Sequence, residues 1–145
     1  MKKIVIFDID GTLADCRHRQ IHVQGKNKNW KEFFRAADDD EPIEGVVHIL
    51  KSLWKHRDCR IVLCTGRPES MRPRTLRWFE KYEIFHDELM MRKEGDYRQD
   101  AIVKKEMLLE LGKENILFAI DDRKQVVEMW RQEGVLCLQC AEGDF

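Results

Sequence analysis

At 145 residues the chain is long enough to bury one real core and too short to divide comfortably into two, so a single domain spanning 1–145 is expected. Hydrophobic residues make up 43% and charged residues 37%, but 26 basic against 27 acidic side chains leave a net charge of -1, so any attraction to nucleic acid has to come from local clustering. Acids interrupt the N-terminal apolar run long before a signal-peptide core or a membrane span could form, and a cytoplasmic protein with no membrane partner is expected.

The first β-rich apolar run, Lys3–Phe7, predicts a strand that ends on Asp8 and Asp10 in IVIFDIDGTL, two like charges one residue apart. From Asp15 to Glu41 the chain turns polar, with CRHRQ, GKNKN, the amphipathic piece WKEFFRAA and the acidic run Asp38–Glu41. Residues 15–41 therefore predict a small cap-like insertion after strand one. Val46, Val47, Leu50, Leu53 and Trp54 share a helical face, and Arg60–Cys64 predicts a second strand followed by Thr65-Gly66-Arg67. Leu76, Phe79 and Tyr82 mark a helix whose first turn suits Pro73, and Glu88–Met91 predicts a third strand followed by Arg92 and Asp96. Ile102, Met107, Leu108 and Leu111 mark the next helix, stopped by Gly112. Ile116–Ile120 predicts a fourth strand followed by Asp121-Asp122-Arg123, Val126, Val127 and Trp130 mark a helix ending near Gly134, and Val135–Cys140 predicts a fifth strand. Strands alternating with helical crossovers predict an α/β fold, a three-layer Rossmann-like parallel five-stranded sheet with helices on both faces.

Five cysteines cannot all pair, most lie in apolar runs, and Cys137-Leu-Gln-Cys140 lacks a second cysteine pair or a nearby histidine pair, so no zinc or redox site is expected. His18, His22, His48, His56 and His86 show no metal-ligand spacing.

Ligands of an open parallel sheet bind beyond the carboxyl ends of its strands. Asp8, Asp10, Asp121 and Asp122 converge there and repel one another unless a cation sits among them or one stays protonated. Oxygen-only ligands favour magnesium, whereas Thr65, Arg67 and Lys104 are anion-binding groups, so the combination points to a phosphate. With no Walker A run and no GxGxxG, a carboxylate nucleophile is the remaining option. One aspartate would attack phosphorus while its neighbour protonates the leaving alcohol and later activates water.

Taken in order, DxDGT at Asp8–Thr12, Thr65 after an apolar strand, Lys104 and Asp121-Asp122 resemble the four motifs of the haloacid-dehalogenase phosphotransferase superfamily. Within it, the chain is most similar to the 3'-phosphatase domain of T-even bacteriophage polynucleotide kinase/phosphatases, through IVIFDIDGTLA, TGRPES, GDYRQD with the downstream IVKKE, and AIDDRKQVVEMWRQEGV to the terminal GDF. It departs from them between Cys16 and Asp40 and in having no P-loop ahead of these motifs. The resemblance implies a haloacid-dehalogenase-like fold, Asp8 as nucleophile and Asp10 as general acid and base. Asp8, the backbone carbonyl of Asp10, Asp121 and Asp122 would hold Mg2+, and Thr65, Gly66 and Lys104 would bind the phosphoryl group. Arg67, Arg19, Arg92, Arg98 and Asp100 match polar positions around the substrate.

The reaction so implied is magnesium-dependent removal of a 3'-terminal phosphate, or a 2',3'-cyclic phosphate, from DNA or RNA ends through an aspartyl-phosphate, with a separate kinase or ligase as a partner. Arg17, Arg19, Lys26, Lys28 and Lys31 of the insertion are candidate backbone contacts, against the alternative of a solvated loop. Trp30, Phe33 and Phe34 read as a packing face, with base stacking as the alternative. Two other functions compete: a small-molecule or mononucleotide phosphatase of the same superfamily, and a phospho-accepting receiver-like signalling module. The sequence leaves the oligomeric state open.

Overall fold

The computed structural model describes residues 2–143, so Asp144 and Phe145 of the terminal GDF lie outside the described residues. In chain order the elements are β1 (Lys3–Phe7), β2 (Ala14–Asp15), α1 (Trp30–Arg35), β3 (Glu41–Pro42), α2 (Glu44–His56) and β4 (Cys59–Pro68). They continue with α3 (Arg72–Lys81), β5 (Glu88–Arg92), α4 (Asp100–Leu111), β6 (Ile116–Arg123), α5 (Lys124–Gln132) and β7 (Cys137–Gly143). The main sheet has five strands in the order β5-β4-β1-β6-β7, all parallel. Counted along the chain this is order 3-2-1-4-5, whereas receiver modules have the flavodoxin-like order 2-1-3-4-5, which excludes the signalling alternative.

The pleat of β1 explains why the sheet needs helices on both faces. Val5 and Phe7 join Ile61 and Leu63 beneath α2 and α3, where Val46, Leu50, Trp78 and Phe79 complete one core. Ile4 and Ile6 point the other way and join Val62 and Cys64 beneath α4 and α5, against Val103, Leu108, Val127 and Trp130. A strand apolar on both faces is therefore central, and its end is the middle of the sheet's carboxyl edge.

Three expectations about element limits are corrected. β4 runs on to Pro68 and β6 to Arg123, beyond their apolar runs, through irregular register between Cys64 and Pro68 and between Asp121 and Arg123. Asp121 and Asp122 thus belong to the strand itself. β7 starts at Cys137 instead of Val135, because the Val135 N–H closes the end of α5 by donating to Trp130 O at 2.9 Å.

Leu76 and Ile102 are exposed instead of packed. Polar anchors set both helix faces: Trp78 Nε1 donates to Asp40 O (2.9 Å) and Arg67 Nη1 to Thr75 Oγ1 (3.1 Å) on α3, while α4 turns Lys104 inward beside Val103.

The insertion is more ordered than its polar sequence implies. β2 and β3 pair antiparallel, Ala14 opposite Pro42 and Asp15 opposite Glu41, and between them lie α1 and the 3-10 turns Arg17–Val23 and Ala36–Asp39. Phe33 and Val23 form a small separate core with Cys16. Arg74 on α3 grips the segment through Asp38, Phe34 O and Arg35 O.

Trp130 is fully buried beneath the acidic strand end, and its Nε1 donates to Asp121 Oδ2 at 3.3 Å. Trp130→Ala should destabilise the fold by roughly 3–5 kcal/mol, while Trp130→Phe should cost less because it keeps most of the packed volume. Urea unfolding of both variants checks the ranking, and equal losses would contradict it.

Candidate active site

The tight turn after β1 follows directly from DGT. Leu13 and Ala14 N–H both donate to Ile9 O, at 2.9 Å each, and Gly11 takes a φ of 86°. A β-carbon on Gly11 would lie 2.1 Å from Asp122 Oδ2, so glycine is required by conformation and by space alike. The turn places the Thr12 hydroxyl 3.1 Å from Asp8 Oδ2 and 3.4 Å from Asp122 Oδ1.

Asp8, Asp121 and Asp122 form one buried acidic cluster with ligand oxygens within 4.8 Å of one another. Lys104, fully buried on α4, answers it: Nζ donates to Asp8 Oδ1 (2.6 Å) and Asp121 Oδ2 (2.9 Å), and lies 3.6 Å from Asp100 Oδ2. Lys104 is therefore no part of a solvated helix face. Asp100 has further partners in Arg92 (3.4 Å) and Arg123 (3.7 Å). Three carboxylates against one ammonium then leave two formal negative charges, the charge of a divalent cation and an all-oxygen donor set suited to a hard one. Burial, reinforced by Asp121, pushes Asp122 up to about 6 and Asp8 well above the usual carboxylate range. Burial works against the Lys104 ammonium, but Asp121, Asp8 and Asp100 outweigh it and raise its pKa well above the ordinary lysine value.

Asp10 stands two residues away in the opposite environment. Its carboxylate accepts from Arg67 Nη2 (2.6 Å) and Arg19 Nη2 (2.5 Å), and although burial opposes ionisation, Arg67 and Arg19 hold it well below the usual carboxylate range. Its side chain is therefore outside the acidic cluster, and only its backbone carbonyl is left for the metal role that the resemblance implies. Asp40, which the sequence reading did not single out, underlies this arrangement. It is buried, accepts from Arg19 Nε at 2.9 Å and from Arg19 Nη2, and lies 3.8 Å from Arg67 Nη2 and 2.6 Å from His18 Nε2. Nothing in the run Asp38–Glu41 distinguishes it from its neighbours; the layer is completed by Phe33, whose carbonyl O accepts from Arg19 Nη1 and whose ring lies beneath the Arg19 guanidinium.

The remaining expected residues divide. Thr65 is buried at the edge of β4, its Oγ1 accepting from Arg67 N–H at 3.1 Å. Gly66 presses so closely on Asp100 that a β-carbon would lie 2.3 Å from Asp100 Oδ1. Arg92 is spent on structure, donating to Gly66 O, Asp96 O and Arg98 O. Arg98 is not brought to the cluster; it pairs with Asp96 and Glu106 at the surface. Arg17 pairs with Asp15. The cysteines are free, and Cys140 Sγ lies 3.7 Å from Thr12 Oγ1 while Cys137 is buried away from it. A groove of about 970 Å³ opens beside Gly11 and Asp122, between Cys16, Arg17 and Gln20 of the insertion and Ala141 and Glu142 of β7.

The family model for the phosphatase domain of the polynucleotide kinase PNKP matches residues 2–145. The chain belongs to the PNKP phosphatase-domain family. A chain in the structure of a Pnkp1/Rnl/Hen1 RNA repair complex is 38% identical, with a TM-score of 0.85 over 100% of this chain and 44% of its own. A protein of Autographa californica nuclear polyhedrosis virus assigned as a bifunctional polynucleotide kinase/RNA ligase is 30% identical over 132 residues, 89% of this chain. This chain spans 18% of that viral protein and under half of the repair-complex chain. A hydrolase from Streptococcus pneumoniae TIGR4, at 18% identity and a TM-score of 0.62 over 98% of this chain and 95% of its own, shares the fold. The PNKP-type phosphatase domain thus has an α/β fold of the haloacid-dehalogenase kind, and among the described residues no helix is long and apolar enough to cross a membrane.

Asp8 and Asp122 bind protons more tightly folded than unfolded, so without a divalent cation stability should fall as pH rises from about 4 through about 6. Urea midpoints in chelator at about pH 5 and about pH 7.5 should show this drop, and added magnesium should remove it; a flat profile in chelator would contradict the mutual repulsion.

Proposed function

We propose that this PNKP-type domain hydrolyses 3'-terminal phosphomonoesters at nucleic-acid ends, with Mg2+ at Asp8, Asp121 and Asp122. The observation that carries the reading is the contrast between Asp8 and Asp10: neighbours on one strand end, one in an acidic cluster facing Lys104, the other between two guanidinium groups. Two carboxylates in unlike surroundings suit two unlike roles. The bound metal would supply positive charge against which phosphoryl oxygens and carboxylates are neutralised.

An Asp8 oxygen attacks phosphorus and the bond to the 3' oxygen breaks. Asp10 gives that oxygen its proton. Asp10, again a carboxylate, then takes a proton from the water that attacks phosphorus, and Asp8 is restored as phosphate leaves. Arg19 and Arg67 anchor Asp10 before substrate arrives; phosphate drawing on the same guanidinium charge lets Asp10 hold a proton. Lys104 and Thr65, with the backbone at Gly66, stabilise the equatorial oxygens, chiefly by position and charge.

The RNA repair complex around the 38%-identical chain supports RNA ends as substrates and a kinase or ligase acting on the same break. The viral relative, assigned as a kinase/RNA ligase, supports the same grouping. The open groove beside Asp122 leaves the site accessible to a substrate larger than a mononucleotide.

A panel of 3'-phosphate, 5'-phosphate and 2',3'-cyclic phosphate oligonucleotides and a nucleoside 3'-phosphate, with and without magnesium, tests the reading. Release from the 3'-phosphate oligonucleotide in magnesium alone is expected, and a higher kcat/KM for the mononucleotide would favour the small-molecule alternative. Asp8→Asn should reduce turnover to background with the fold retained, and Asp10→Asn should lower kcat by roughly 10²–10⁴-fold.

A further inference from the structure

We infer that Tyr97 is a stacking platform for a nucleobase near the 3' end of the substrate strand. This rests on the proposed action at nucleic-acid ends and adds the group that would distinguish a strand from a small phosphomonoester.

Tyr97 lies in the loop between β5 and α4, in GDYRQD, and is 94% exposed. Among the described residues no hydrogen bond or ring contact holds its side chain, yet the loop beneath it is braced throughout. Arg92 Nη1 donates to Asp96 O (3.1 Å) and Arg98 O (2.6 Å), Arg92 Nε donates to Gly66 O (2.8 Å), and Asp96 Oδ1 accepts from Arg98 N–H (3.1 Å). Arg98 in turn grips Glu106 on α4. A ring on a stiff support loses little freedom when a ligand stacks on it.

Position links that ring to the chemistry. Tyr97 is three residues from Asp100, so their α-carbons are at most about 11 Å apart. Asp100 touches Gly66 and stands 3.6 Å from the Lys104 Nζ that holds Asp8. A base one or two nucleotides from the reacting phosphate is within reach.

The local charges select a base over a phosphate as the occupant. Arg98 is already paired with Asp96 and Glu106, and Arg92 with backbone carbonyls, so beside the aromatic face the loop offers the exposed Lys93 as a single cation and no cationic track. Stacking on that face tolerates any base. Trp30, a partly exposed aromatic of the insertion, is taken up by Phe34, Phe33, Lys28 and Arg123.

The test compares the full chain with Tyr97→Ala and Tyr97→Phe on three substrates: a 3'-phosphorylated oligonucleotide, the same oligonucleotide with single abasic positions, and p-nitrophenyl phosphate. Tyr97→Ala should lower kcat/KM for the oligonucleotide through KM by roughly 5- to 150-fold, the span of base–aromatic stacking, and leave p-nitrophenyl phosphate unchanged. Tyr97→Phe should restore the oligonucleotide rate. An abasic site at the stacked position should abolish the difference between the wild type and Tyr97→Ala, and the salt dependence of oligonucleotide binding should not change. Equal kcat/KM for wild type and Tyr97→Ala on the oligonucleotide would overturn the inference, as would an equal loss on both substrates. A wild type that hydrolyses p-nitrophenyl phosphate but no 3'-phosphorylated end would instead remove the functional reading and this inference with it.

Discussion

One buried ammonium group organises the site. Lys104 reaches from α4 under the carboxyl edge of the sheet to Asp8 on β1's end and Asp121 on β6, and so ties a helix to two strands through charge in a place from which water is excluded. Removing one partner of such a buried set costs several kcal/mol because the others are left uncompensated. The cluster is nevertheless under-neutralised, since Asp122 joins without a cation of its own among the described contacts and Thr12 offers only a hydroxyl. Lys104 ties the strand ends together, and the negative charge it leaves uncompensated would suit a hard divalent cation.

The second charge system is built on different lines. Around Asp10 the guanidinium groups of Arg19 and Arg67 meet Asp10 and Asp40, so that the layer is close to neutral and fully hydrogen-bonded. Guanidinium forks hold a carboxylate in plane and in place, which an ammonium cannot do. The side chains two residues apart on one turn thus stand in unlike surroundings: Asp8 beside a lysine and two other carboxylates, Asp10 between two guanidinium groups.

Much of this was legible in the sequence, and the limits of that legibility have physical reasons. The apolar runs located the strands of the main sheet, most clearly the central β1 and β4, which are covered on both faces and so continuously apolar, and DxDGT, Thr65, Lys104 and Asp121-Asp122 were recognisable by order. Strand ends were misjudged where hydrophobicity stops but pairing resumes after an irregularity, at Pro68 opposite Arg92 and at Arg123 opposite Gly143. Leu76 and Ile102 were misplaced because a Trp–carbonyl bond and a buried lysine, not apolar spacing alone, orient α3 and α4. Asp40 was invisible because a buried acid inside an acidic run has no local signature; its partner Arg19 is 21 residues away.

The grip of Arg74 and Trp78 on the insertion gives the cover a mechanical character of its own. Arg74 donates to Asp38 and to the carbonyls of Phe34 and Arg35, and Trp78 to the carbonyl of Asp40, so the cover is riveted to α3 on the side facing the arginine layer. Segment 15–41 is thereby held to α3 at several points along its second half. The groove beside Gly11 and Asp122 is therefore bordered on one side by a segment that the fold itself pins down.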